Sequence, residues 1–147
     1  KSNSNKPTML FFHCHVLPVP NVEWLNTIAA VDRGNRTALF ELLAHHPQVR
    51  WILNGHTHCN VLWSYQGVHV VTTPQVCGWS FDPKNPTGGH PFPAHPAYQG
   101  YRVFYFEGNK MILSVTKSRD GNTRLDPKPE DFPEFIDTIG WFGNLTL

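Results

Sequence analysis

Two short apolar runs, MLFFH at 9–13 and QVRWILNG at 48–55, bracket one amphipathic stretch, NRTALFELLAHHP at 35–47. This arrangement constrains the fold more than any other feature of the chain. A continuous apolar run of that length is expected of a strand covered on both faces. In the stretch between them Leu39, Leu42 and Leu43 repeat at helical spacing, Asn35 is placed to cap the start, and Pro47 ends it. Strand, helix, strand is half of an α/β sandwich. A right-handed crossover brings the C-terminal ends of the two strands to one edge of the sheet.

Further along, VLWSYQG and VHVVTT read as two strands joined at Gly67, and YRVFYFEGNKMILSVT as a hairpin turning at Gly108-Asn109. These antiparallel strands are expected to extend or face the first sheet. Residues 14–34 look irregular apart from one or two helical turns within VEWLNTIAAV. Residues 74–100, with six prolines and four glycines, make a loop without periodicity, and a loop of that length in a compact domain is usually functional or mobile. The tail from Lys117 is rich in charge and proline, and is expected to wrap the surface or pack on a neighbour.

Composition narrows the function classes. A chain of 147 residues with 40% hydrophobic and 16% charged residues is one soluble domain's worth of sequence. Its net charge of +1 points to neither nucleic acid nor an anionic membrane surface as a partner. No apolar run approaches the ~20 residues that span a bilayer. KSNSNKPT has no signal-peptide core, although Lys1 need not be a natural start. Cys14, Cys59 and Cys77 are an odd number without a CxxC, which is read as free thiols in a reducing compartment and so favours the cytoplasm.

Both apolar runs end in histidines: His13 and His15 in FFHCHVLPVP, His56 and His58 in ILNGHTHCN. Open α/β sheets place their ligands at the C-terminal ends of strands. Gly55 is expected to permit the sharp turn that lets His56 and His58 converge with His13. Imidazoles gathered there suit a divalent transition metal. A lone strand histidine is more often a hydrogen-bonded core residue, but G-H-x-H with a second strand-terminal histidine upstream favours the metal. His45 and His46 read as helix C-terminal residues, where a cation is favoured by the dipole, and His69 as structural. His90 and His95 lie in the long loop, with Trp79, Phe81 and Tyr98 as candidate stacking residues.

The strand-terminal His13, the helix ending in HHPQV, GHTH at 55–58 and the hairpins that follow resemble the calcineurin-like metallophosphoesterase superfamily, in its cyclic-nucleotide phosphodiesterase-like branch. The similarity runs over roughly residues 8–117. It implies the C-terminal half of an α/β/β/α sandwich, with antiparallel strands joining a mixed sheet after GHTH. Residues 1–117 would form that part of the domain, with 74–100 bordering the site and 118–147 as the tail. The resemblance implies that His13 and His56 bind one metal and His58 a second, each Mn, Fe or Zn. His13 is preferred to His15 because the first histidine of the related H-H-P pattern is the ligand.

The family's D-x-H, G-D-x-x-D and G-N-H motifs do not occur: Gly34-Asn35 is followed by Arg36 and Gly143-Asn144 by Leu145. The chain is thus expected to hold metal weakly by itself, to carry no catalytic group beyond these ligands, and to need an N-terminal half in cis or trans to hydrolyse a phosphate ester. Two further functions stay open. One is a non-catalytic module, possible as a homodimer, that assembles through an exposed half-sheet. The other is a mononuclear zinc site of His13, His56, His58 and a loop histidine or Cys59.

Overall fold

The computed structural model of the chain describes residues 6–18, 30–56, 61–73, 100–108, 110–118, 121 and 123–136. The expected helical turns at 22–29, the loop 74–99 with its histidines and aromatics, and the residues from 137 onward lie outside them. In chain order the elements are β1 (Thr8–Phe11), α1 (Arg33–Ala44), β2 (Val49–Asn54), β3 (Val61–Tyr65), β4 (Val68–Thr72), β5 (Gly100–Glu107), β6 (Lys110–Ser118), β7 (Thr123–Leu125) and a 3-10 turn at Pro129–Asp131. The protein is mixed α/β and mostly strand. One mixed sheet has the order β1-β2-β4-β3, and one antiparallel sheet the order β5-β6-β7.

The helix starts three residues earlier than an Asn35 cap would place it. Asp32, not Asn35, is the N-cap: its carboxylate accepts from the Asn35 backbone N–H at 3.0 Å and also from the Asn35 side-chain amide. A carboxylate satisfies the orphan donors of a first helical turn better than an amide inside that turn could. The buried stripe also differs, being Arg36, Phe40 and Leu43, whereas Leu42 is 56% exposed. Arg36 tolerates burial in part because its guanidinium lies 5.9 Å from the centre of the Phe135 ring. A helix of twelve residues is marginal alone. Full burial of side chains such as Phe40 stabilises by about 1.5–3 kcal/mol each, so packing holds it in place.

β1 and β2 run parallel, β2 and β4 run parallel, and β3 lies antiparallel at the far edge. The hairpin between β3 and β4 turns on Gln66 and Gly67, with φ of 49° and 76°. Left-handed conformation at both central residues matches a two-residue turn to the strand twist. Alternation then sorts the side chains. Leu10, Ile52, Val70 and Trp63 face the helix core with Phe40 and Leu43, while Met9, Trp51, Val71 and Leu62 face a second core with Met111, Phe104 and Phe132. The helix therefore covers one face of the mixed sheet and the antiparallel sheet covers the other.

β2 is buried on both sides, as expected of its apolar run. β1 is not, because it lies at the edge of the described sheet, and Phe11 is 73% exposed. Past Lys117 the chain adds β7 to the antiparallel sheet, and Phe132 and Phe135 each enter one of the two cores. Among the described residues no helix is long and apolar enough to cross a membrane.

Candidate functional site

Beyond β1 the backbone keeps its pairing with β2 a little longer. The Phe12 N–H donates to Leu53 O at 3.0 Å, and the Gly55 N–H donates to His13 O at 3.3 Å. These bonds hold His13 and His56 side by side at the C-terminal ends of two adjacent parallel strands. His56 Nδ1 and His13 Nε2 are 2.7 Å apart, and the rings meet edge to face with centroids 4.6 Å apart. One nitrogen carries the proton and donates, and the other accepts with its lone pair.

The conformation that aims His56 differs from expectation. Gly55 has an ordinary φ, and a Cβ added to it would meet nothing closer than Thr73 O at 4.0 Å. The left-handed residue is His56 itself, at φ 67°. Histidine tolerates that region better than most side chains, but the conformation still costs about 1–2 kcal/mol. The turn is thus carried by His56 itself, and the glycine before it is not what the geometry requires.

The two histidines of the upstream motif part company. His13 reaches the exposed pair, whereas His15 is fully buried and its backbone O accepts from the Val31 N–H at 3.0 Å. Val16 and Leu17 follow it into the helix-side core. His58 and Cys59 lie outside the described residues. Among the described residues, no group of three or more His, Cys, Asp or Glu side chains comes together. His69 lies on a different part of the sheet, between Trp51 and Phe132 at ring-centroid distances of 4.6 and 5.4 Å. Burial lowers its pKa, the positive charge of Arg50 adds to the effect, and Glu130 opposes it.

The donor set fits part of a metal centre. Two imidazole nitrogens converge without intervening protein atoms, and imidazole suits zinc and its neighbours. Ligands on one such ion stand roughly 3.0–3.4 Å apart, given metal–nitrogen bonds of ~2.0–2.1 Å. The 2.7 Å pair would open by a few tenths of an ångström to admit one.

A second feature of this edge has no sequence signature. Asn54, two residues before His56, is buried; its Oδ1 accepts from the Thr72 hydroxyl at 2.6 Å, and its backbone O accepts from the Thr73 N–H at 2.9 Å. Arg102 of β5 reaches Thr72 O and Thr73 Oγ1 at 3.4 and 3.2 Å. The same guanidinium binds Asp126, Nε to Oδ2 at 2.8 Å, and the hydroxyls of Ser114 and Thr116 donate to that carboxylate at 2.6 and 3.0 Å. Burial pushes the Arg102 pKa down, and the hydrogen bond and charge of Asp126 push it back up. Arg102 shares its strand phase with Phe104, and nothing in the alternation YRVFYF tells which phase faces inward.

The fold and the histidine pair thus define a mixed α/β protein with two imidazoles in contact at its parallel strand ends. No family model matches the chain. It is 29% identical over 119 residues to a protein of Psychrobacter arcticus named "Probable cyclic nucleotide phosphodiesterase", covering 81% of this chain and 40% of that protein. A second protein of the same name, from Psychrobacter sp. strain PRwf-1, is 29% identical over 82 residues, covering 56% of this chain and 23% of its own length. The chain therefore spans less than half of the curated relatives it matches.

Proposed function

We propose that the chain carries the C-terminal, ligand-bearing part of a metal-dependent phosphodiesterase-like hydrolase, and that a cyclic nucleotide is its substrate class. One observation carries the proposal: the convergence of His13 and His56 at 2.7 Å on the C-terminal edge of parallel strands. The names of the two relatives support the substrate class. The family resemblance supports a four-layer sandwich completed by an N-terminal half in cis or trans.

His13 and His56 would hold one divalent or trivalent ion, and His58 would contribute to a second. Ions held there would supply Lewis acidity and a bound water acidic enough to attack phosphorus. The chain's own residues position. The Gly55 to His13 backbone bond sets the distance between the strand ends, and the left-handed His56 turns its ring across the gap. Trp79, Phe81 and Tyr98 are the candidate stacking residues for a base. Two or three imidazoles are fewer than the four ligands of a closed zinc site, so the chain alone binds metal weakly.

The test is hydrolysis of bis(4-nitrophenyl) phosphate with manganese, by the chain joined to the N-terminal half that the resemblance implies. Turnover that His56→Ala abolishes supports the proposal. A folded complete protein that hydrolyses neither mono- nor diesters refutes it.

A second function has its own observation. The outer face of the antiparallel sheet carries Tyr101, Tyr105 and Leu125, exposed by 49%, 45% and 69%, along the cross-strand pairs Tyr105–Leu113 and Val115–Leu125. Exposed apolar faces of this kind serve assembly. Light scattering that finds a dimer supports an assembly module, and a monomer at high concentration counts against it.

A further inference from the structure

We propose that Arg102 is a positioning residue for the histidine pair, the centre of a buried strut that sets the His56 turn from the second sheet. The inference rests on the assignment of His13 and His56 as the reacting edge. The strut is continuous. Asp126 receives Arg102, Ser114 and Thr116; Arg102 reaches Thr72 O and Thr73 Oγ1; Thr72 and Thr73 bind the side chain and backbone of Asn54. Asn54 leads straight into Gly55, whose N–H holds His13 O at 3.3 Å, and then into His56. Both members of the pair are therefore tied to the same row of contacts.

Two features set this strut apart from a generic weld between sheets. First, the ion pair is nearly sealed from water, with the Arg102 side chain 1% exposed and that of Asp126 4%. Desolvation at that depth offsets much of a charged pair's attraction, and a packed apolar contact would join two sheets as well or better. Its directional value lies in the guanidinium fork, which fixes several acceptors in one plane. Second, the fork reaches the end of β4 at the register position opposite Asn54, where the strand order brings β2 alongside. The next residue but one adopts the left-handed backbone at φ 67°. A strained turn persists only where its surroundings over-determine it, and this strut is what precedes and braces it. With the brace loosened, His56 relaxes toward ordinary backbone and its ring leaves His13.

The experiment follows the 15N shifts of His56 Nδ1 and His13 Nε2 at one fixed pH, through the carbon-bound ring protons, in the chain as it stands. The value taken by His56 in a His13→Ala variant marks the unpaired state. Arg102→Lys keeps the charge but loses the fork, and Thr72→Val keeps the shape but loses the hydroxyl that binds Asn54. Each is expected to move the His56 signal at least halfway to the unpaired value. Phe40→Leu, which loosens the helix-side core without touching the strut, leaves the signal in place. The proposal is overturned if either strut variant leaves the pair intact, or if Phe40→Leu disrupts it equally. The readout involves neither metal nor phosphodiester. Absence of hydrolysis in the complete protein, with the strut variants behaving as stated, would remove the proposed function and leave the positioning role standing.

Discussion

Replacing Asp126 by Asn tests how the two sheets are joined. The substitution keeps the shape of the side chain, removes its charge, and turns an NH2 group toward a site already occupied by donors. Arg102, with its side chain 1% exposed, would lose the carboxylate that compensates its guanidinium. Ser114 and Thr116, both almost fully buried, would share one remaining acceptor oxygen. Removing one partner of a buried ion pair costs about 3–5 kcal/mol. The hydroxyl losses do not simply add to this, because the groups form one network. Against a total stability of roughly 5–15 kcal/mol this is a large fraction. With a urea m-value of about 2 kcal/mol/M, the unfolding midpoint should fall by about 1.5–2.5 M at unchanged slope. Adding Arg102→Met removes the stranded charge, so the double variant should recover part of the loss. A cost below about 1 kcal/mol for Asp126→Asn would refute the argument, as would a double variant whose cost equals the sum of the two single substitutions.

Two other perturbations have clear directions. Gly55→Ala should change stability by less than about 0.5 kcal/mol and leave the His13–His56 contact intact, since the new methyl meets only Thr73 O at 4.0 Å; urea unfolding and imidazole shifts check both points. The pKa of His69 is lowered in the folded state from its ordinary 6.5, chiefly by burial. On acidification below 6.5 the unfolded chain therefore takes up a proton before the folded one, and this group costs stability as pH falls, with no cost above that value. In urea unfolding at a series of pH values, His69→Leu should lose less stability than the wild type through this window. Parallel curves would refute the assignment.

Much of this architecture follows from patterns that depend only on local spacing. The helix, the central β2 and the two hairpins answer to period 3.6, to apolar runs and to turn residues. The meeting of the β1 and β2 ends, where His13 and His56 converge, answers to the parallel pairing that a strand-helix-strand order favours. What local pattern misses is decided by tertiary neighbours. MLFFH reads as a fully buried strand, but a run that short does not reveal that it lies at the edge of the described sheet with Phe11 exposed. Leu42 fits the helical repeat yet is exposed, while Arg36 takes the core position because Phe135, far along the chain, offers it a ring. The left-handed conformation falls on His56 and not Gly55, since the strain is borne where contacts fix it. Arg102 on β5 and Asp126 just past the end of β7, 24 positions apart, carry no motif at all.

Metal binding at the strand-end histidines is tested by titrating the isotope-labelled chain with Mn2+ and reading the paramagnetic broadening of the histidine ring resonances. This detects even weak binding at the ligands themselves. Selective broadening of His13, His56 and His58 is expected at low metal, with His45, His46 and His69 spared, and with displacement of the effect by Zn2+. Uniform broadening of all histidines, or none at the strand-end pair, would contradict the proposed binding.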